Sequence, residues 1–241
     1  MLNLDFYANR ESLNLEFVHP HFDTSTGLSP DELAAGLQQL YEQKIESTST
    51  TLLRAEMFAY LYDHVQIEIN PLNPFAVKLN HQKLLQKYSD LFKKHILYAL
   101  SPETLSLQKD AVEWGCKPCI DYHHTLPNWN DIQSLGFPGL LNRAKERKGE
   151  LLQDLTATQE QKDFIESVII VYSAIMRLLC RIREESLKYP AAYMFSECIN
   201  ELTLHEPRTI YQAMMLTDLF MIVYEVGLEN SRSFGLIDRL Y

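Results

Sequence analysis

Cys116-Lys-Pro-Cys119, followed within a few residues by His123 and His124, is the densest grouping of ligand-type and acid–base side chains in the chain. Two thiols at CxxC spacing serve zinc knuckles, where both thiolates ligate, and thioredoxin-like sites, where one thiolate attacks and the other resolves. A closed zinc site takes four ligands, and the sequence has no second CxxC. His123 and His124 are near enough to complete a Cys2His2 set, although adjacent side chains hinder simultaneous ligation. A small zinc-binding module on Cys116, Cys119 and His123 is therefore one reading, a redox pair a second, and loop cysteines without a ligand the third and favoured one. The His pair has a separate use open to it. Imidazole gains or loses a proton near neutral pH, so His123 and His124 are candidates for orienting a substrate or moving its proton.

The remaining chemistry-bearing residues point to structure. Asp31-Glu32 and Glu184-Glu185 are adjacent carboxylates, which diverge on a helix and predict solvated faces rather than an acid–base pair. Cys180 and Cys198 fall within helical patterns and are expected to be small buried hydrophobes. His64, His81, His95 and His205 have no partner pattern and are expected at the surface or its boundary. Met214-Met215 lies in a Tyr- and Phe-containing apolar helix, which predicts core. A Gly-rich phosphate loop, a nucleophile elbow and a Ser/His/Asp arrangement are all missing from the sequence.

The elements that would position these residues are announced by their capping signals. Ser29-Pro-Asp-Glu32 is a capping box with Pro at the first helical position, opening a helix with Leu33, Leu37, Leu40 and Tyr41 as its apolar stripe. The Ser47–Thr51 run breaks it and supplies the cap of a second helix over 52–64. Val65, Ile67 and Ile69 alternate with Gln66 and Glu68, predicting a short half-buried strand ended by Pro71 and Pro74. Helices are expected over 80–97 and from Ser101 to about Val112, followed by an extended loop over 114–127. Asn128 caps a short helix that stops at Gly136, and Gly139 to Lys148 forms its successor, closed by Gly149.

Thr158 with Gln161 repeats the capping box. Beyond it Phe164, Val168, Val171, Ile175, Leu178 and Ile182 form one continuous seam. The same chemistry at Thr209 and Gln212 opens a helix to about Val226 that is apolar nearly all round and needs cover on most sides. If that cover is not supplied within the chain, helix 209–226 is a surface for self-association or for a partner.

Composition narrows the setting. With 241 residues, 46% of them hydrophobic, the chain is long enough to bury a sizeable core. A net charge of −10 opposes nucleic-acid binding, which needs clustered Lys and Arg. The densest basic run, Arg143 to Lys148, is interrupted by Ala144 and Glu146, as on a helix face. No membrane association is expected: Met1-Leu-Asn-Leu-Asp-Phe lacks the basic start of a signal peptide, and the apolar stretch Val168–Leu179 carries Arg177 and is too short to span a bilayer. Four cysteines in a chain of this size do not make a disulfide framework, so a reducing cytoplasm is the expected compartment.

Several segments in fixed order carry a family resemblance. RAEMFAYLYDHVQIEINP (54–71), FAVKLNH (75–81), HHTLPNW (123–129), LGFPGLL (135–141), EPRTIYQAMML (206–216) and the closing RSFGLIDRLY (232–241) together resemble the amino-terminal portion of the glycyl radical enzymes, from about Leu28 onward. Pyruvate formate-lyase (formate acetyltransferase) and the radical diol dehydratases such as glycerol dehydratase belong to that family.

The resemblance implies a mainly α fold with one or two short strands: the helical amino-terminal region of an incomplete glycyl-radical-type α/β barrel. It implies a single partial domain over 1–241, with outer helices and a short strand in 1–113, the loop 114–127, and a helical core segment in 128–241. It places His124 and Ser231 at positions where family members face substrate. In the complete family enzymes a glycyl radical near the C-terminus oxidises a mid-chain cysteine, and radical carbon–carbon or carbon–heteroatom cleavage follows, a chemistry tied to anaerobic metabolism. The family's mid-chain Gly-Cys pair and Arg-Val-x-Gly-aromatic loop are absent; Gly115-Cys116 lies too early, before the His motif.

The expectation is thus a lyase or transferase fragment that supplies scaffold and pocket wall. It holds no cofactor of its own, is inactive alone, and has the remainder of such an enzyme as its partner. A stand-alone helical interaction protein derived from the family, binding a partner or itself through 209–226, is the second expectation.

Overall fold

A computed structural model describes residues 21–71, 73, 75, 77–81, 102–116 and 127–228. The described residues are mainly helical with one small sheet, as the sequence predicts. In chain order they form α1 (Pro30–Lys44), α2 (Thr50–His64), β1 (Ile67–Ile69), β2 (Val77–Leu79), α3 (Pro102–Glu113), α4 (Trp129–Gln153), α5 (Gln159–Ser186), a single 3-10 turn (Pro190–Ala192), α6 (Tyr193–Leu204) and α7 (Ile210–Leu228). The helix expected over 80–97 lies almost entirely outside the described residues. Of the loop at 114–127, residues 117–126 do so too.

Helix α5 is the axis of the molecule. Its 28 residues span about 42 Å at 1.5 Å per residue, and α2, α4, α6 and β1 all pack on it. Its capping box forms as predicted: the Thr158 hydroxyl accepts from the Gln161 amide at 3.2 Å, and the Gln161 side chain accepts from the Thr158 amide at 2.9 Å. Ala174, Ile175, Leu178, Leu179 and Ile182 are sealed into the main core together with Leu33 and Leu37 of α1, Leu53, Met57 and Leu61 of α2, Ile199 and Leu202 of α6, and Met215, Leu216 and Leu219 of α7.

The seam does not continue to the first turn of α5, because Phe164 is 61% exposed. That end of the helix runs past the main core and shares a separate, smaller cluster with α4, in which Ala144, Leu151 and Ile165 are buried.

Helix α1 opens with the Ser29–Glu32 capping box. The side chain of Ser49, in the capping position of α2, makes no bond to its own helix; its hydroxyl goes to the carboxylate of Asp163 instead, tying the start of α2 to the start of α5. At its other end α2 is closed by Arg181 of α5. That guanidinium donates to the carbonyls of Tyr62 and Val65, each at 2.6 Å, and to the carbonyl of Thr26. Beside it, Arg177 holds Asp63 through two bonds of 2.8 and 2.7 Å.

Strands β1 and β2 form an antiparallel hairpin with Ile67 opposite Leu79 and Ile69 opposite Val77. The expected half-buried strand is in fact buried on both faces: Gln66, Glu68 and Asn70 are as sheltered as Ile67 and Ile69. Residues 26–28 lie along one side of the strand, where Leu28 pairs with Val65 and the Thr26 hydroxyl accepts from the Ile67 amide. Helix α5 covers another side. Alternation of residue type could not report cover from two directions.

The Gly-Phe-Pro-Gly break is a kink within one helical run. Asn128 caps α4, accepting from the Asp131 amide. Gly136 then takes φ 59°, ψ 179°, a conformation essentially reserved for glycine. The helix restarts at Phe137, so Pro138 occupies a first turn, where its missing N–H breaks no bond. Contrary to expectation Gly149 does not end this helix, which continues to Gln153 with the Asp154 amide bonding back to Glu150.

Helix α7 is opened by Thr209, whose hydroxyl accepts from the Gln212 amide at 3.2 Å. The chain supplies most of its cover. Met215, Leu216, Leu219, Met221 and Val223 are buried, and the exposed apolar side chains among those described are Ile210 and Met214 at its start.

Candidate functional site

Of the sequence-derived site residues, Cys116 alone falls within the described residues. His123, His124, Cys119 and Ser231 lie outside the described residues. Cys116 is described and exposed, one turn beyond α3. Among the described residues no group of three or more His, Cys, Asp and Glu side chains is placed to hold a metal ion, and no described helix is long and apolar enough to cross a membrane.

Several side chains sit differently from expectation. Cys180 is exposed rather than buried, because it lies on the outer face of α5, whereas Cys198 is buried on α6 as expected. Burial pushes the Cys198 thiol up to about 12, so it is held as a neutral thiol. His81 is buried at the end of the hairpin, not at the surface. Glu185 is also buried, and its carboxylate pairs with Lys188 at 2.6 Å.

What the helices do assemble is a cleft of about 340 Å3 between α2, α4, α5 and α7. Its walls are built by helical spacing. Arg54, Phe58 and Tyr62 follow one another at four-residue steps along α2, and Phe220 and Tyr224 do the same on α7, so each set shares one helix face. Phe137, the first residue after the Gly136 kink, and Tyr172 of α5 complete the aromatic lining.

The rings form a ladder. Phe137 stacks with Phe220 at 6.3 Å, Phe220 with Tyr224 at 6.4 Å, and Phe58 with Tyr62 at 6.4 Å. Trp129 backs the ladder, meeting Phe220 edge-on at 5.4 Å. Ring separations of this kind make a wall that is apolar, polarizable and stiff.

The polar atoms of the walls divide into two groups. The buried Tyr62 hydroxyl donates to the Val223 carbonyl at 3.0 Å, joining α2 to α7, and burial holds this phenol well above its ordinary value. The Ser167 hydroxyl donates to the Phe164 carbonyl at 2.6 Å. Both are thereby committed within the protein.

Arg54 is not. Its guanidinium lies 5.6 Å from the centre of the Phe58 ring, in cation–π contact. Its Nε is buried and has no hydrogen-bond partner. Burial depresses its ionisation, with no neighbouring charge to oppose that. No residue motif pointed to this site: the Arg-Phe-Tyr face of α2 was visible as a four-residue spacing, but which helices would face it was not.

Comparison with known proteins bears on the fold. No family model matches the chain, and no curated protein matches it in sequence. Among solved structures, the chain is similar to the glycerol-bound form of the B12-independent glycerol dehydratase from Clostridium butyricum, at 15% sequence identity and a TM-score of 0.58. The similarity covers 82% of this chain and 32% of that one. The chain thus spans about a third of the length of the enzyme it resembles, and at this identity the likeness is one of fold.

Proposed function

We propose that this chain is the amino-terminal helical shell and pocket wall of a glycyl radical lyase or dehydratase, of the formate acetyltransferase and diol dehydratase kind. The observation that carries the reading is the fold likeness to glycerol dehydratase over 82% of the chain. It agrees with the order of the segments from Arg54 to Tyr241 that carry the sequence resemblance. In such enzymes a backbone glycyl radical supplies the oxidising equivalent for hydrogen abstraction through a cysteine. Here the Gly-Cys and Arg-Val-x-Gly-aromatic motifs are not in the sequence, so the chain's own part is to position walls: His124 and Ser231 toward a substrate hydroxyl, with the helices around α5 keeping solvent away. The partner is the remainder of the enzyme, and the setting a reducing, anaerobic cytoplasm.

The test is anoxic incubation of the purified chain with a radical-generating activating enzyme and S-adenosylmethionine. Neither a glycyl-radical signal in electron paramagnetic resonance nor turnover of glycerol or pyruvate is expected. Co-expression with a polypeptide carrying the two missing motifs should give turnover that His124→Ala reduces. Radical formation in the chain alone, or co-expressed turnover indifferent to the presence of this chain, would overturn the proposal.

A further inference from the structure

Arg54 presents an unusual imbalance: a guanidinium with a buried, unbonded Nε in the lining of a cleft whose other walls are mostly aromatic and aliphatic. A charge taken from water is ordinarily compensated by an opposite charge or by hydrogen bonds. Phe58 supplies a ring face on one side, but no carboxylate among the described residues pairs with Arg54. Arg143, the other cation whose field reaches the cleft through Tyr172, is already bonded to Asp131 at 2.8 Å. The Tyr62 and Ser167 hydroxyls are spent on backbone carbonyls. The cleft therefore offers an apolar volume with one unused cationic fork at its side.

We infer that the cleft between α2, α4, α5 and α7 binds a small organic monocarboxylate, its carboxylate on Arg54 and its aromatic or aliphatic body against Phe58, Phe137, Tyr172 and Phe220. The planar fork matches a carboxylate with two parallel N–H···O bonds. A phosphate dianion would bring a second negative charge for which the cleft holds no second free cation, and an uncharged ligand would leave Arg54 uncompensated. Ligand clefts run from about 300 to 1,000 Å3, and at about 340 Å3 this one suits a compact molecule rather than a dinucleotide. The inference concerns binding and does not depend on the chain's belonging to a radical enzyme.

Trp129 supplies the readout, since its ring touches Phe220 in the wall. The chain has two tryptophans, and Trp114, at 87% exposed, can be removed as Trp114→Phe. In that background 4-phenylbutyrate should change Trp129 fluorescence saturably at a stoichiometry of one, with calorimetry giving the same affinity. The neutral 4-phenylbutanamide should bind at least tenfold more weakly.

Arg54→Gln should reduce carboxylate affinity at least tenfold, to the level of the amide, and Arg54→Lys should fall between, keeping the charge but losing the fork. Val171→Phe, which fills the cleft and leaves Arg54 in place, should abolish binding and covers the case in which the Arg54 variants do not fold. Absence of saturable carboxylate binding, equal affinity for acid and amide, or full binding by Val171→Phe would each overturn the assignment.

Discussion

Gly136 and His205 meet at one corner of the molecule, and each makes a prediction there. A Cβ on Gly136 would stand 3.1 Å from the Cα of Glu206 and 3.2 Å from the carbonyl oxygen of His205, and the φ of +59° at ψ 179° is strained for any other residue. Gly136→Ala should therefore lower unfolding free energy by about 1–3 kcal/mol in urea titration, whereas Gly149→Ala, in open space within α4, should be neutral or stabilising. His205 accounts for a pH dependence. Its Nδ1 lies 2.7 Å from the Glu206 carbonyl and its Nε2 2.7 Å from the Glu201 carboxylate. Only the doubly protonated ring donates to both, so these two contacts raise its ionisation, the carbonyl first, against smaller opposing effects of burial and then of Arg208. A raised folded value stabilises the protein fully below the unfolded value of about 6.5 and the gain is lost as pH climbs through the folded one. The melting-temperature gap between wild type and His205→Gln should be wide at pH 6 and close by pH 9. A His205 midpoint below 6.5 in an NMR titration would contradict it.

Between elements, the contacts of α5 with the C-terminal end of α2 separate two arginines that look alike in sequence. Arg181 is half-buried and donates to two backbone carbonyls at the end of α2, those of Tyr62 and Val65, and to that of Thr26; the carbonyls of a helix's last turn have no intrahelical partner. Arg177 pairs with Asp63 in a more exposed setting. Replacing Arg181 by Met should cost about 2–3 kcal/mol, and replacing Arg177 by Met less than about 1 kcal/mol, as read from denaturant midpoints. Equal costs would show that charge, not carbonyl satisfaction, is what α5 contributes here. The contrast also marks how far the sequence reaches. Ser29, Thr158 and Thr209 cap their helices through atoms three residues away, so those starts were legible, as was the Gly136 break. The two-sided burial of β1, the outward turn of Cys180 and the assignment of Arg181 to Thr26, Tyr62 and Val65 depend on partners as much as 155 residues distant. No local pattern encodes them. The aromatic cleft failed to appear for the same reason: Arg54, Phe137, Tyr172 and Phe220 become neighbours only when α2, α4, α5 and α7 converge. The site residues read from resemblance, His124 and Ser231, lie outside the described residues; of the CxxC and His group, Cys116 alone falls within them, as an exposed thiol.

At the scale of the whole molecule the burial is uneven. The main core draws on α1, α2, the hairpin, α4, α5, α6 and α7, whereas the far end of the α4–α5 pair rests on Ala144, Leu151 and Ile165, with Ala157, Val168 and Ile169 around them. Lys148 and Glu166 join the two helices there through an ion pair at the surface, which adds little to stability. Leu152, Leu155 and Phe164 stay largely exposed on the same stretch. Regions with few buried apolar contacts open locally at a lower free energy than the global transition. Native-state hydrogen exchange should accordingly find the amides of 146–166 exchanging well before those of 174–182 in the same α5 and of 53–61 in α2. Helix α5 is continuous from Gln159 to Ser186, so helix propensity alone predicts uniform protection along it; a step within α5 near Val168 would assign the difference to tertiary cover. If the chain is the shell of a larger enzyme, the polypeptide that completes it and covers Leu155 and Phe164 should slow exchange in 146–166 selectively, while leaving the already protected segment of α5 unchanged. Uniform exchange along α5 in the isolated chain would mean that the two clusters unfold as one unit.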